Sequence, residues 1–213
     1  MPDIDFAQIV IAFIVLLFSL TVHESAHAWA ADRLGDPTGR LLGRVSLNPI
    51  VHADLIGTVL FPLLALVGGA RLIGWAKPVP VNVGRLRHQR RDYVLVAAAG
   101  PASNLLLAVV AALLLSALTV SPVVLGELNF SVPLASLLSR GVQTNLLLAV
   151  FNMLPIPPLD GGSVVSGLLP VNLALRFDQI RPYGFLLLYA LIFTNGFEYL
   201  VVPPYHFLLS WLT

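Results

Sequence analysis

The sequence of residues 21–29 is Thr21-Val22-His23-Glu24-Ser25-Ala26-His27-Ala28-Trp29, and it lies inside an apolar run that extends from Phe6 to Ala31. Ionisable side chains are costly in the middle of such a run, so their presence needs a chemical reason. Histidines four residues apart project from one face of a helix and can offer two imidazole nitrogens to one metal ion. The stretch therefore predicts a membrane-spanning helix that carries His23 and His27 as metal ligands, with Glu24 beside them.

The composition of the chain is that of a polytopic membrane protein. Of its 213 residues, 57% are hydrophobic and 11% are charged, whereas an ordinary soluble domain has about 25% charged residues. The net charge of +1 leaves no basic excess, which argues against a nucleic-acid partner. Because the chain has no cysteine, a metal must be held by histidine, carboxylate or water. The N-terminal apolar run lacks a basic start, so we expect a retained helix rather than a signal peptide.

Five apolar segments divide the chain, which we interpret as a single domain over residues 1–213. They cover roughly residues 6–31, 55–72, 93–120, 133–154 and 182–212, with a break in the last near Asn195-Gly196. A helical crossing needs about 20 apolar residues, so the second segment is marginal. We expect an all-α polytopic membrane protein with a re-entrant, β-like hairpin between the first and third segments. Arg140 and Gln143 predict a short fourth helix, from about Gly141 to Leu154, followed by an extended proline-rich stretch.

The charges of the connecting segments predict the orientation in the membrane. Nine of the twelve Lys and Arg residues lie in residues 32–53 and 71–91, whereas the N-terminus and residues 121–132 contain acidic residues and no basic ones. The positive-inside rule places both basic stretches on the cytoplasmic side. This arrangement requires the segment 55–72 to enter and leave the membrane on the same face.

A third metal ligand is needed, and Asp160 is the best candidate. It lies in Asn152-Met153-Leu154-Pro155-Ile156-Pro157-Pro158-Leu159-Asp160-Gly161-Gly162, at the far end of the fourth segment. Two crossings between His27 and Asp160 would bring them to the same face, whereas three would separate them. The alternative is that Asp160 is only a turn residue, because the sequence around it suits a turn.

Three motifs, in this order, resemble the site-2-protease type of intramembrane zinc metallopeptidase, peptidase family M50. They are His23-Glu24-Ser25-Ala26-His27, Gly100-Pro101-Ala102-Ser103-Asn104, and Asn-x-x-Pro…Leu-Asp-Gly from Asn152 to Gly161. The resemblance covers nearly the whole chain and is to short prokaryotic members without PDZ or CBS domains. It implies that His23, His27 and Asp160 bind Zn²⁺ and that Glu24 is the general base. It also implies that Asn104 and Asn152 help to bind the substrate.

The resemblance implies hydrolysis of peptide bonds in or near transmembrane segments of membrane-protein substrates, in the bilayer of a prokaryotic inner membrane. The metal site would lie nearer the cytoplasmic face, and the oligomeric state is not predicted. Interhelical hydrogen bonding by Asn104 is an equally open alternative to contact with the substrate. Gly100 could likewise serve only to let two helices pack closely. Two other function classes are a cation transporter, which internal repeats would favour, and a catalytically silent scaffold. The sequence has no repeat, and Glu24 argues against the scaffold.

Overall fold

The computed structural model of the chain describes residues 6–60, 76–120 and 131–212, and helices dominate these ranges. The α-helices are α1 (Phe6–Arg33), α2 (Thr38–Leu41), α3 (Pro49–His52), α4 (Gln89–Val120), α5 (Ser131–Asn152), α6 (Asp160–Leu168), α7 (Val171–Asp178), α8 (Gly184–Phe193), α9 (Gly196–Leu200) and α10 (Val202–Leu212). A π-helical turn covers Leu55–Leu60, and 3-10 turns cover Val83–Arg85 and Arg181–Tyr183. No β-strand occurs in the described ranges.

Three helices among the described residues are long and apolar enough to cross a membrane. They are Ala7–Arg33 in α1, Gln89–Leu118 in α4 and Val132–Asn152 in α5. Apolar side chains such as Phe18, Leu106 and Leu113 are at least half exposed on these helices, as expected for surfaces that face lipid. The prediction of an all-α integral membrane protein is therefore confirmed.

The helix α4 is the central element, since it packs against α1, α5 and α6. Its contact with α5 joins Ala108, Ala111 and Ala112 to the larger Val142 and Leu146. Small residues let helix backbones approach closely, which is how helices associate in lipid, where burial of apolar surface gives no driving force. The first half of α4 lies against the histidines of α1, with Gly100 at the contact.

The β-like hairpin expected between the first and third apolar segments is not found in the described part of that region. Residues 38–52 instead carry two single-turn helices, and Asn48 caps α3 by accepting a hydrogen bond from the Ile50 amide. The side chain of Asp54 accepts from the amides of Ile56 and Gly57 and so starts the π-helical turn. These local caps favour helical turns over strands. Residues 61–75 lie outside the described residues, so the re-entrant path stays a prediction.

The fourth apolar segment is longer than expected. The helix α5 begins at Ser131 rather than near Gly141, and it runs without interruption past Arg140 and Gln143. Both residues are exposed and line an open cleft together with Gln8 of α1 and Leu115 of α4, so they do not end the helix. Residues 153–159 then form turns rather than the extended stretch that the prolines predicted.

The last apolar segment is broken where the sequence predicted. Asn195 adopts a left-handed conformation with φ 58° between α8 and α9, which confirms the break near Asn195-Gly196. Helix α10 places Pro203 and Pro204 in its first turn, where proline is tolerated. Tyr205 and Leu208 of α10 pack against the cluster that α4 and α5 form.

The segment of residues 76–82 is held beside α1 by three backbone amides. The Lys77 amide donates to the His52 carbonyl at 2.8 Å, and the Asn82 amide donates to Asp36 Oδ2 at 2.6 Å. Asp36, which is fully buried, also accepts from the Thr38 amide and hydroxyl. Between these anchors, the Val79 amide donates to a side chain of α1 that belongs to the site described next.

Candidate metal centre

Helix α1 presents His23 and His27 one turn apart on its buried face. Their side chains are 4% and 8% exposed, and their ring centroids are 4.7 Å apart in an edge-to-face arrangement. The helical period alone accounts for this, because residues i and i+4 lie above one another on a helix. The two imidazoles thus face the same small volume between α1 and α4.

Asp160 reaches that volume as the first residue of α6. Helix α6 folds back onto the end of α5 because Gly161 and Gly162 follow the aspartate. A Cβ on Gly161 would collide with the carbonyl oxygens of Met153 and Leu154, and one on Gly162 would lie 2.7 Å from the Pro157 nitrogen. The glycine pair therefore allows the close turn that carries Asp160 back to α1.

The three side chains predicted as ligands converge. Asp160 Oδ2 is 3.1 Å from His23 Nε2, Asp160 Oδ1 is 3.3 Å from His27 Nε2, and the two Nε2 atoms are 3.1 Å apart. No other group of three or more His, Cys, Asp or Glu with metal-ligand spacing occurs in the described part of the chain. A turn-only role for Asp160 does not account for this convergence.

Hydrogen bonds on the far side of each ring fix which nitrogen carries the proton. His27 Nδ1 is 2.7 Å from the Val96 carbonyl oxygen, and His23 Nδ1 is 2.6 Å from Asn104 Oδ1. Both partners can only accept, so each Nδ1 donates and each neutral ring directs the lone pair of Nε2 inward. Metal-binding histidines usually have such a partner on the other ring nitrogen.

The donor set fits a zinc ion. Two inward lone pairs and a carboxylate lie within hydrogen-bond distance of one another, and Asp160 Oδ2 is buried without a hydrogen-bond partner, although it lies close to His23. Acceptors this close repel one another unless a cation lies between them. Atoms that bind tetrahedral zinc at about 2.0–2.1 Å are about 3.3–3.4 Å apart, close to the separations in this site. Three protein ligands leave a fourth position for water.

Asn104 lies behind the metal centre and is fully buried. Besides the contact with His23, its Nδ2 donates to the Ser19 carbonyl at 3.3 Å and to Asn145 Oδ1 at 2.8 Å. Of the two roles considered for Asn104, interhelical hydrogen bonding is the one that this geometry contains. Contact with a substrate stays a prediction for a residue with no exposed surface here.

Glu24 and Asn152 have different surroundings. Glu24 Oε2 accepts a hydrogen bond of 3.0 Å from the Val79 amide, so the segment 76–82 reaches the predicted base. Asn152 is the last residue of α5, and its Nδ2 donates to the Leu148 carbonyl one turn earlier at 3.0 Å. In the described structure this is the only side-chain hydrogen bond of Asn152, and it does not join the residue to the three converging side chains.

Sequence reasoning missed the contribution of Gly100, which it interpreted as a packing residue. A Cβ on Gly100 would lie 2.6 Å from His23 Nε2 and closer still to His27 Nε2, so only glycine lets α4 approach both rings. The motif contained the signal, since Gly100 precedes Asn104 by one helical turn. Asn145 was also missed, although an amide in an apolar span is a signal in itself.

Tyrosine and arginine side chains brace the helix that carries Asp160. Tyr93 of α4 donates to the Ser163 hydroxyl at 2.9 Å, and Arg90 donates to the carbonyls of Ser166, Gly167 and Leu169 at the end of α6. Carbonyls at a helix end have no partner within the helix, so a guanidinium satisfies them well. Helix α6 is thus fixed against α4 at Ser163 and at its C-terminal end.

Comparisons with known proteins find one family model and several relatives. The model of peptidase family M50 matches residues 11–144. The chain is 40% identical over 190 residues to "Putative zinc metalloprotease YwhC" of Bacillus subtilis, covering 89% of this chain and 83% of the relative. It is 30% identical over 183 residues to "Putative zinc metalloprotease Rip2" of Mycolicibacterium smegmatis, covering 84% of this chain and 64% of the relative. No solved structure matches the chain.

Proposed function

Because the chain belongs to peptidase family M50 and is a zinc metalloprotease of the membrane, we propose that it cleaves peptide bonds in or near transmembrane segments of membrane-protein substrates. The supporting observation is the depth of the metal centre. His23 and His27 precede the end of α1 at Arg33 by 10 and 6 residues, which corresponds to about 15 and 9 Å along a helix. A site at that depth is within reach of a peptide bond that lies in the bilayer.

The chemistry combines one metal ion with one carboxylate. His23, His27 and Asp160 would hold the zinc ion, which would supply an activated water molecule and polarise the carbonyl of the scissile bond. Glu24 accepts the proton of the attacking water and delivers it to the leaving amine. Its Oε1 is suited to this, because the Val79 amide holds Oε2 and no hydrogen bond to Oε1 occurs among the described residues.

The proposed substrate is a transmembrane segment that unwinds locally. A helix satisfies its own carbonyls with internal hydrogen bonds, so a scissile carbonyl has to leave that ladder before it can be attacked. Gly, Pro or Asn near one end of the substrate helix would lower the cost of unwinding. We therefore expect cleavage near such residues, in the half of the bilayer that contains the metal centre.

The proposed location is the inner membrane of a prokaryotic cell, with the metal centre nearer the cytoplasmic face. Arg33 ends α1, and Arg90 and Arg91 lie in the first turn of α4. The C-terminal end of α1 and the N-terminal end of α4 are therefore both basic. The metal centre lies nearer this end of α1 than the opposite one. Basic residues flanking spans favour the cytoplasmic side.

The decisive variant is Glu24→Gln, which keeps the size and hydrogen bonding of the side chain but removes the base. Proteoliposomes with a single-span substrate should show cleavage reduced by roughly 10²- to 10⁴-fold, with zinc content unchanged. The control Glu198→Gln makes the same change on the exposed helix α9. Unchanged cleavage in Glu24→Gln would exclude Glu24 as the base, and cation flux without cleavage would favour transport.

The substrate proposal is tested in the same proteoliposomes. Replacing the helix-breaking residues of the substrate by Leu should protect it, because leucine favours the helix. Equal cleavage of both substrates would contradict local unwinding. Cleavage confined to a soluble loop, well outside the span, would contradict proteolysis within the bilayer.

A further inference from the structure

Asn145 is a polar residue in the middle of an apolar span, and the proposed mechanism gives it no role. It lies on α5 with 3% exposure, next to Leu146, which is fully buried. A primary amide in the apolar interior is costly unless its groups are hydrogen-bonded. The partners of Asn145 therefore indicate what it does.

The hydrogen bonds of Asn145 have a defined direction. Its Nδ2 donates to the Gly141 carbonyl one turn earlier at 2.9 Å, and its Oδ1 accepts from Asn104 Nδ2 at 2.8 Å. A backbone carbonyl can only accept, so Gly141 fixes which end of the Asn145 amide points to Asn104. Asn145 thus presents an acceptor to Asn104. The Ser19 carbonyl is a second acceptor for the same Asn104 Nδ2.

This arrangement determines the orientation of the Asn104 amide. With two acceptors around Nδ2, the opposite end of the amide, Oδ1, faces His23 Nδ1 at 2.6 Å. If the amide were reversed, its NH₂ group would face the N–H of His23, and two donors would oppose each other. His23 would then lose the partner that keeps its proton on Nδ1 and the lone pair of Nε2 on the metal side.

We propose that Asn145 is a positioning residue for the metal centre: it acts through Asn104 to fix the orientation and the tautomer of the His23 ring. The relay runs from the Gly141 carbonyl of α5, through two amides, to a histidine of α1, so it joins all three apolar spans at one point. It rests on His23 binding the metal through Nε2. Asn145 itself touches neither metal nor substrate, and its effect is on the affinity of the site for zinc.

The test measures zinc affinity of the detergent-purified full chain by competition with a chromophoric chelator. Partners one step from a metal ligand typically change affinity by about 10- to 100-fold. We expect about 100-fold weaker binding for Asn104→Leu and about 10-fold weaker binding for Asn145→Leu. In Asn145→Asp, a carboxyl in this apolar site stays protonated, donates to the Gly141 carbonyl and offers its other oxygen to Asn104, so the variant should bind zinc nearly as tightly as the wild type.

A double variant separates the relay from general packing. If Asn145 acts only through Asn104, the Asn104→Leu/Asn145→Leu variant should bind zinc as Asn104→Leu does, with no further loss. The control Leu146→Ala removes neighbouring packing, so it should lower the unfolding temperature and leave the zinc affinity unchanged.

Three results would overturn the proposal. The first is a zinc affinity of Asn145→Leu equal to that of the wild type. The second is a loss of zinc affinity in the double variant equal to the product of the two single losses. The third is a loss of zinc affinity in Leu146→Ala or Asn145→Asp as large as in Asn145→Leu. Zinc affinity is measured without a substrate, so a failure of the relay is distinct from a failure of the proposed proteolysis. A wild type that binds no zinc would contradict the metal site itself.

Discussion

Substitution of Gly100 by alanine is the sharpest test of how the metal centre is built. Gly100 lies on α4 opposite both histidines, one turn before Asn104. An added Cβ would lie 2.6 Å from His23 Nε2 and from His23 Cε1, and it would collide with His27 Nε2. The single added methyl group therefore enters the volume in which the predicted ligand atoms meet.

The expected magnitude follows from these distances. Ordinary contact of a Cβ begins at 3.4 Å, so relief of the 2.6 Å contact requires a displacement of about 0.8 Å. Metal–ligand distances are held to about ±0.2 Å, so the ring cannot move that far and remain a ligand in the same geometry. The rings also cannot rotate away without losing Asn104 and the Val96 carbonyl. Loss of a residue that hydrogen-bonds to a metal ligand typically lowers metal affinity by about 10- to 100-fold. Because Gly100→Ala displaces the ligand itself, we expect zinc affinity to fall by about 100-fold or more.

The assay is chelator competition on detergent-purified protein, together with thermal unfolding in excess EDTA to confirm that the variant is folded. The matched control is Gly141→Ala, also in a membrane helix, which keeps the backbone carbonyl that accepts from Asn145 and whose added Cβ would meet only Ala111 Cβ, at 3.4 Å. This control should bind zinc as the wild type does and gain helix propensity. A folded Gly100→Ala protein with unchanged zinc affinity would refute the assignment of the two Nε2 atoms as ligands.

Two further predictions concern the base and the orientation. Val79→Pro removes the amide that donates to Glu24 Oε2. Because a hydrogen bond to a charged group contributes about 1.5–3 kcal/mol, turnover should fall by about 10- to 100-fold, and the zinc content should not change. The control Val81→Pro removes an amide without a hydrogen bond in the described structure, and equal turnover in both variants would exclude a role for the Val79 contact. For the orientation, single cysteines can be added to the cysteine-free chain at Leu42 and Val132, which are 61% and 74% exposed. An impermeant maleimide should label Val132→Cys in right-side-out vesicles and Leu42→Cys only after lysis, and the reverse pattern would contradict the proposed topology.

The parts of the fold that follow from periodicity were predictable from the sequence. The pairing of His23 with His27 needs only the helical repeat, and the three spans need only apolar length. The predicted start of α5 near Gly141 is wrong because the polarity of Arg140 and Gln143 predicts a helix end, whereas long polar side chains that line an open cleft can extend to a more polar environment. The β-like element is not found in the described residues 38–52, because side-chain caps such as that of Asn48 act over two residues and favour single helical turns over strand pairing.

The role of Gly100 was harder to predict, for a physical reason. A glycine in an apolar helix is consistent with any close contact, and only the distance between α1 and α4 identifies the histidine rings as that contact. No pattern in a single sequence gives an interhelical distance. Asn145 is the opposite case, because a buried amide in a span signals a partner, although the sequence does not say which one.

Four residues inside the three described spans form one connected hydrogen-bonded set. Ser19, His23, Asn104 and Asn145 are joined by hydrogen bonds that cross from α1 through α4 to α5. Each bond has its acceptor in a fixed position, so the set has one consistent arrangement of protons, and that arrangement leaves the lone pair of His23 Nε2 on the metal side. Burying amides in the apolar interior is costly, and here the amides of Asn104 and Asn145 fix the orientation of the ligand His23. The polarity of these spans is therefore best explained by the geometry of the metal centre, because packing alone would be served as well by leucine.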